Sequence, residues 1–332
     1  MRRRLTVQTH TGLFEVGVVL AFGLGCANAV AGTPPLILDD PAPQAFANFG
    51  SAVAGVGDID GDGIAELLVG APNQGAGRAF LFSGSDGALI GALDDPPAEY
   101  YASFGAAVAD AGDIDGDGVS DLAVGAFFQT LGTNTGQGQV FLFSGADGGL
   151  LLTLDDPTAQ DYANFGSAVA GMDDVNGDGT PDLAAAAAYQ TVGGVLYKGQ
   201  VWIFSGVDGT LLQTLDDPTA SQGFGGIFGN AIAAVGGPSQ GGTQGLLVGA
   251  PYQSVGGNTN QGQAYLFSLT GGGGATEVVV DIRPGSNRNR FSCADDGSLP
   301  VAILSGSDFD ATAVNPATVT LTGTAGSTAA RA

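Results

Sequence analysis

Apolar runs of roughly four to six residues recur along positions 36–270, each closed by glycine, aspartate or proline. Runs that short, ending in turn formers, suit β-strands; an amphipathic helix needs about ten residues with apolar positions three and four apart. The runs keep a fixed order, and the order repeats. Leu-Asp-Asp-Pro stands at Leu38, Leu93, Leu154 and Leu215, and Phe-Gly follows at Phe49, Phe104, Phe165 and Phe228. In the first three units an acidic glycine loop comes next. An apolar run follows, through Val69-Gly-Ala-Pro72, Val124-Gly-Ala126 and, in the fourth unit, Val248-Gly-Ala-Pro251. The third run is Ala79–Phe82, Val140–Phe143, Val201–Phe204 or Ala264–Phe267. In the first three units a Ser-Gly-x-Asp-Gly turn, such as Ser144–Gly148, leads to a fourth run. Glycine accepts the positive φ of a tight turn, so Asp-Gly between two apolar runs predicts a hairpin.

Four strands per unit, in units of roughly 55 to 63 residues, predict the blades of an all-β propeller. Four blades are expected over residues 32–270. The fourth unit ends at Phe267-Ser-Leu-Thr270 without its last strand, and Pro34–Pro41 reads as that strand with its turn. The N-terminal strand is therefore expected to complete the last blade and close the ring, which would leave no open sheet edge. Residues 271–275 are a glycine linker. Residues 276–332, with strands expected at Glu277–Gly285 and Leu299–Leu304, read as a partial, truncated C-terminal β module.

The acidic loops carry the chemistry. Oxygen ligands at alternate positions, with glycines between them, let a chain curl around a hard cation that takes six to eight oxygens. The first loop offers Asp58, Asp60, Asp62, the Ile64 carbonyl and Glu66. The second offers Asp113, Asp115, Asp117, the Val119 carbonyl and Asp121, and the third Asp174, Asn176, Asp178, the Thr180 carbonyl and Asp182. An EF-hand would need glutamate at position twelve; Val69, Val124 and Ala185 stand there, and a strand follows instead of a helix. The acid at position nine is thus expected to close the cage. Crowding four carboxylates costs energy unless a cation joins them, so about three Ca2+ sites are expected. The fourth loop, Gly237–Gly245, has no carboxylate and should hold no ion.

Charge narrows the partners. Between Gly32 and Thr270 the only bases are Arg78 and Lys198, in a chain of formal net charge −24. Such a surface repels nucleic acid and anionic lipid and attracts divalent cations. Met1–Arg4, the apolar Val16–Gly25 and the small residues Ala27–Ala31 read as a signal peptide over residues 1–31, with a lipoprotein anchored through Cys26 as a lesser alternative. No other stretch is long and apolar enough to span a bilayer. The expected location is extracellular or at the surface of a bacterial-type cell. Without the leader, Cys293 is the one cysteine and no histidine is left, since His10 is the only one in the chain. That removes an intrachain disulfide, a Ser-His-Asp or Cys-His catalytic group and a zinc cluster.

With Phe-Gly, the acidic loop and Gly-Ala-Pro in fixed order, residues 36–270 resemble the FG-GAP repeats of integrin α-subunit propellers and their bacterial secreted relatives. The resemblance implies a calcium-stabilised β-propeller whose ligands meet the face opposite the calcium loops. Tyr100, Tyr101, Phe127, Tyr162, Tyr189 and Tyr252 lie in the connections expected on that face. Val280–Gly285 with Pro300–Leu304, Phe309-Asp-Ala and Val314–Val319 is similar to a C-terminal module of bacterial secreted proteins. The reading that follows is a non-enzymatic binding or adhesion module for an extracellular protein or glycan. The alternatives are a secreted carbohydrate-active hydrolase using the Asp pairs, and a purely structural envelope or matrix protein. Adjacent Asp residues in a strand-ending turn also cap backbone amides, and Phe49, its equivalents and Trp202 suit the core between blades.

Overall fold

The computed structural model describes residues 35–219, 225–236 and 244–269, and the backbone of five short strands beyond residue 275. The leader, Cys26, the linker and most of the fourth acidic-loop equivalent lie outside the described residues. Every described strand lies within residues 38–332.

The architecture is all-β: four antiparallel sheets of four strands, each a simple meander. The first contains β1 (Ala52–Gly55), β2 (Leu67–Ala71), β3 (Arg78–Phe82) and β4 (Leu89–Asp94). The second contains β5 (Phe104–Gly112), β6 (Asp121–Ala126), β7 (Gln139–Phe143) and β8 (Leu150–Asp155). The third contains β9 (Phe165–Met172), β10 (Asp182–Ala187), β11 (Gln200–Phe204) and β12 (Leu211–Asp216). The fourth contains β13 (Ala231–Val235), β14 (Gln244–Ala250), β15 (Gln263–Leu269) and β16 (Thr276–Val278). The Ser-Gly-x-Asp-Gly turns make the third hairpin of each of the first three sheets. Gly87, Gly148 and Gly209 adopt φ of 75°, 72° and 73°, and their N–H groups donate to Ser83, Ser144 and Ser205 carbonyls at 2.9 Å.

One expectation changes. The outer place in the fourth sheet is taken by β16, whose Thr276, Glu277 and Val278 pair with Ser268, Phe267 and Leu266. Residues 35–41 form no strand. A strand that follows β15 after a short connection closes its contact at less entropic cost than one brought from the other end of the chain. The segment at 276–278, expected in the C-terminal module, thus extends a blade. Beyond it, β17 (Val280–Ile282) pairs with β18 (Val301–Ile303), and β19 (Thr320–Leu321) with β20 (Thr328–Ala329).

The sheets stack in chain order: β5 packs on β1 and β2, β9 on β5 and β6, and β13 on β9. Side chains alternate across a strand, so each inner strand serves two interfaces. Leu122, Val124 and Ala126 of β6 face the first sheet, while Ala123 faces the third. Each Phe-Gly phenylalanine seats on two aromatic rings of its own blade. Phe104 meets Phe141 and Phe143 at 5.8 and 5.9 Å, Phe165 meets Trp202 and Phe204 at 5.7 and 5.8 Å, and Phe228 meets Tyr265 and Phe267 at 5.6 and 5.8 Å. Phe104, Phe165, Phe228 and Trp202 are buried, so they are interblade core, as expected; each contributes about 1.5–3 kcal/mol. The glycines of the two motifs also meet. A methyl on Gly70 would sit 1.9 Å from the Gly105 carbonyl oxygen, and one on Gly125 would sit 2.1 Å from that of Gly166.

Candidate metal centre

Each acidic loop joins the first strand of its blade to the second, and the three loops share one wiring. Asp58 accepts from Gly61 N and Gly63 N, both at 2.9 Å; Asp113 accepts from Gly116 N and Gly118 N at 2.7 and 2.9 Å. Asp174 does the same with Gly177 N and Gly179 N at 2.6 and 2.8 Å. The third-position side chains, Asp60, Asp115 and Asn176, accept from the N–H two residues on, as do the fifth-position Asp62, Asp117 and Asp178. This curl needs left-handed backbone at Gly61 (φ 79°) and Gly63 (φ 88°), and the corresponding glycines of the other loops adopt it too.

The curl gathers the acids. Ligand oxygens of Asp58, Asp60, Asp62 and Glu66 lie within 4.8 Å of one another, and so do those of Asp113, Asp115 and Asp117. Ile64, Val119 and Thr180 occupy the seventh position, where their N–H groups donate to the fifth-position aspartates.

The ninth-position acids are buried beneath the loops. Glu66 accepts from Ile59 N through one oxygen, while its Oε1 is buried without a hydrogen-bond partner. Desolvation, followed by repulsion from Asp60, Asp58 and Asp62, pushes its carboxyl above the ordinary range. Asp121 and Asp182 do more than face the loop. Asp121 accepts from Ile114 N at 2.8 Å and Gly145 N at 3.0 Å; Asp182 accepts from Val175 N at 2.7 Å and Gly206 N at 3.2 Å. These acids tie the loop to the following Ser-Gly-x-Asp-Gly turn. Burial raises both, Asp182 to about 6. A carboxylate has about four lone-pair positions, so each keeps capacity for a further partner. The donor set fits a hard cation: clustered carboxylates, glycine curls and, in the first loop, a buried orphan oxygen.

The Asp pairs divide in two. The first member pairs across the sheet: Asp94 with Arg78, Asp155 with Gln139 Nε2 and Asp216 with Gln200 Nε2, both amides at 2.7 Å. The second member is buried and caps the turn: Asp95 accepts from Glu99 N, Asp156 from Thr158 N and Asp217 from Thr219 N, at 2.8 to 2.9 Å. Capping, the plainer expectation, is what the structure shows.

Strands 2 and 4 of a blade end away from the acidic loops, and the aromatics of that end are exposed. Tyr100, Tyr101, Tyr162 and Tyr252 are exposed, Tyr189 less so, and Phe127 is half-buried against Phe128. Sequence reasoning missed Phe46, at 88% exposure the most exposed large apolar residue among those described. Phe46, Tyr101 and Tyr162 each stand three residues before Phe-Gly, and all adopt left-handed φ, of 63°, 70° and 54°. That fixed offset was the available signal. Also missed were Gln74, Gln129, Gln190 and Gln253, each three residues beyond the Gly-Ala alanine or its Ala187 equivalent, and all buried.

Among the described residues, no helix is long and apolar enough to cross a membrane. Comparison with protein families matches the FG-GAP repeat at residues 49–82, 104–143 and 165–204. Similar curated proteins include mouse integrin alpha-IIb, 34% identical over 53% of this chain, and human integrin alpha-IIb, 37% identical over 43%. Xenopus laevis integrin alpha-5 is 31% identical over 43% of the chain. The chain spans only 18%, 15% and 15% of these relatives' lengths. Among solved structures, an exotype rhamnogalacturonan lyase aligns at TM-score 0.32 and 14% identity, over 65% of this chain and 41% of that one. A Bacillus licheniformis rhamnogalacturonan lyase aligns at 0.33 and 13%, over 65% and 42%. Both likenesses are too slight to argue from. The matched repeats coincide with the first three blades, and each motif has its place there: phenylalanine in the core, acids in the loop, glycine at the interblade contact. The first three blades are thus FG-GAP repeats, and over them the chain is similar to the β-propellers of integrin α-subunits.

Proposed function

We propose that this protein is a secreted, calcium-binding propeller that acts without catalysis as a binding or adhesion module for an extracellular protein or glycan. The observation that carries the cation half is the repeated loop, with four acids gathered in the first blade, one of which, Glu66, has a buried orphan oxygen. Ile64, Val119 and Thr180 would add carbonyl ligands, and Glu66, Asp121 and Asp182 would close the three cages. Calcium so held would fix the strand 1–strand 2 loops and stabilise the blades by mass action.

The ligand half rests on the opposite end. Left-handed backbone at a non-glycine residue costs about 1–3 kcal/mol and tends to gather at functional sites. Three blades accept that cost while presenting an aromatic ring to solvent at the same repeat position. Tyr100 and Tyr101 add an edge-to-face pair at 4.4 Å. Exposed aromatic rings beside amide side chains suit protein or glycan contact.

The test screens the full chain against glycan and extracellular-protein arrays, in calcium and in chelator, beside a Tyr100→Ser/Tyr101→Ser variant. Calcium-dependent capture lost in the variant is expected. Absence of capture in calcium would leave a structural role, and glycan cleavage abolished by Asp94→Asn or Asp155→Asn would establish the hydrolase alternative.

A further inference from the structure

The connections between blades hold a second oxygen-lined site that repeats three times. Each site pairs the second Asp of a Leu-Asp-Asp-Pro turn with a glutamine from the loop after the second strand of the next blade. Asp95 and Gln129 are 4% and 2% exposed, Asp156 and Gln190 4% and 1%, and Asp217 and Gln253 both 3%. Bonds through one neighbour tie the first two pairs together. Gln129 Nε2 donates to Glu99 Oε2 at 2.9 Å, and Glu99 N donates to Asp95 Oδ2 at 2.8 Å. Gln190 Nε2 donates to Thr158 Oγ1, which donates to Asp156 Oδ1 at 2.9 Å. In the third, Thr219 Oγ1 donates to the same oxygen of Asp217 at 2.7 Å.

What is left over is the same in every pair. Asp95 Oδ1 and Gln129 Oε1, Asp156 Oδ2 and Gln190 Oε1, and Asp217 Oδ2 and Gln253 Oε1 are all buried and lack a hydrogen-bond partner. Asn164 Oδ1, from the same connection as Asp156, is a further orphan. Leaving one buried acceptor unpaired costs about 1–3 kcal/mol, and more if it is charged. Six orphans at matching repeat positions, joined through a neighbour in the first two pairs, point to a partner that accepts oxygen donors. A basic side chain does not supply it. From Gly32 to Thr270 there are only Arg78 and Lys198, and Arg78 is paired with Asp94. A carboxylate oxygen beside amide carbonyl oxygens is the donor chemistry of a hard cation.

We propose that Asp95 with Gln129, Asp156 with Gln190 and Asp217 with Gln253 hold a second tier of hard, oxygen-ligated cations, separate from the acidic loops and at the other end of the blades. Each would clamp one interblade connection beneath the exposed aromatics. One carboxylate per site predicts weaker binding than in the first two loops, which gather four and three acids.

The test uses the metal-freed full chain as wild type, Asp156→Asn, Gln190→Met and the loop variant Asp115→Asn. Bound calcium is counted by equilibrium dialysis and atomic emission, and melting temperature is read in tetramethylammonium and in sodium chloride. If calcium is the occupant, Asp156→Asn and Gln190→Met each lose about one calcium per chain, additively with the loss in Asp115→Asn. If sodium is, their calcium count is unchanged, but the sodium-dependent rise in melting temperature shrinks by about a third. Gln190→Met keeps length and volume, so it reports even where Asp156→Asn does not fold. Calcium count and sodium response both at wild-type level in the variants overturn the proposal and show that a proton or water serves the orphans. That outcome leaves the loop sites standing, because Asp115→Asn reports on them alone.

Discussion

Replacing Gly125 with alanine tests why the two glycine motifs of the repeat occur together. The new methyl would sit 2.1 Å from the Gly166 carbonyl oxygen and 3.0 Å from its carbon, whereas ordinary contact begins near 3.4 Å. It is therefore about 1.3 Å too close to backbone that belongs to the next blade and is held in its own sheet. No side chain can swing away, so the second and third sheets must part. Overpacking of this kind costs about 1–3 kcal/mol. For a unit of this size, each kcal/mol moves the melting temperature by about 2–4 °C, which gives a fall of about 2–12 °C. The third blade shows how such a junction can be relieved: Ala186 stands where Gly70 and Gly125 stand, and faces Gly229 across the junction. Gly91→Ala is the matched control, since a methyl there meets nothing within 4 Å and Gly91 has no positive φ. It should be neutral or raise stability by about 0.5–1 kcal/mol through a less flexible unfolded chain. Urea and thermal unfolding in saturating calcium would measure both variants. If Gly125→Ala fell within about 0.5 kcal/mol of Gly91→Ala, close backbone approach between blades could not be the reason for the paired glycines.

Two more predictions concern charge and strain. Burial raises both Asp95, beside Glu99, and Asp182, beside Asp178, to about 6, above the unfolded value near 3.9. The native state of the cation-free protein therefore binds more protons than the unfolded state between about pH 4 and 6. Its stability should rise as pH is lowered from 7 to 5. Saturating calcium should reverse that slope, because cations and protons compete for the same oxygens; chemical unfolding against pH, with and without chelator, reads both signs, and equal slopes would refute the assignment. Tyr101→Gly relieves left-handed backbone at φ 70° and loses little burial, the side chain being 74% exposed. It should stabilise the protein by about 1 kcal/mol; a loss in urea unfolding would show that the ring packs rather than waits for a ligand.

The strands and their order were legible because each blade repeats a complete sentence of turn formers and alternating apolar positions, and four copies average out local ambiguity. The gathering of acids in the first two loops was legible for the same reason: alternate acids with glycines between them curl the chain on itself. The last strand of the fourth blade was not. Pro34–Pro41 carries the right residues, but Thr276–Val278 takes the place in the sheet, and a motif match says nothing about which of two competing strands lies nearer. The role of the ninth-position acids was half legible. Spacing placed them at the cage, yet only the fold brings Gly145 N and Gly206 N to the far oxygens of Asp121 and Asp182. Each of these acids therefore couples a loop at one strand junction to a hairpin at another. The glutamines escaped notice because Gln in a loop reads as surface, whereas the fold buries all four. Both cases show one rule of this architecture. A blade's own strands can be read from its own repeat, while the contacts that lock its connections lie between residues roughly half a repeat apart: Asp121 with Gly145 inside the second blade, and Asp95 with Gln129, through Glu99, between the first blade and the second. An ion at the loop end would act on ties within one blade, and an ion at the other end on a connection between two, so only the second should govern how firmly the blades stack.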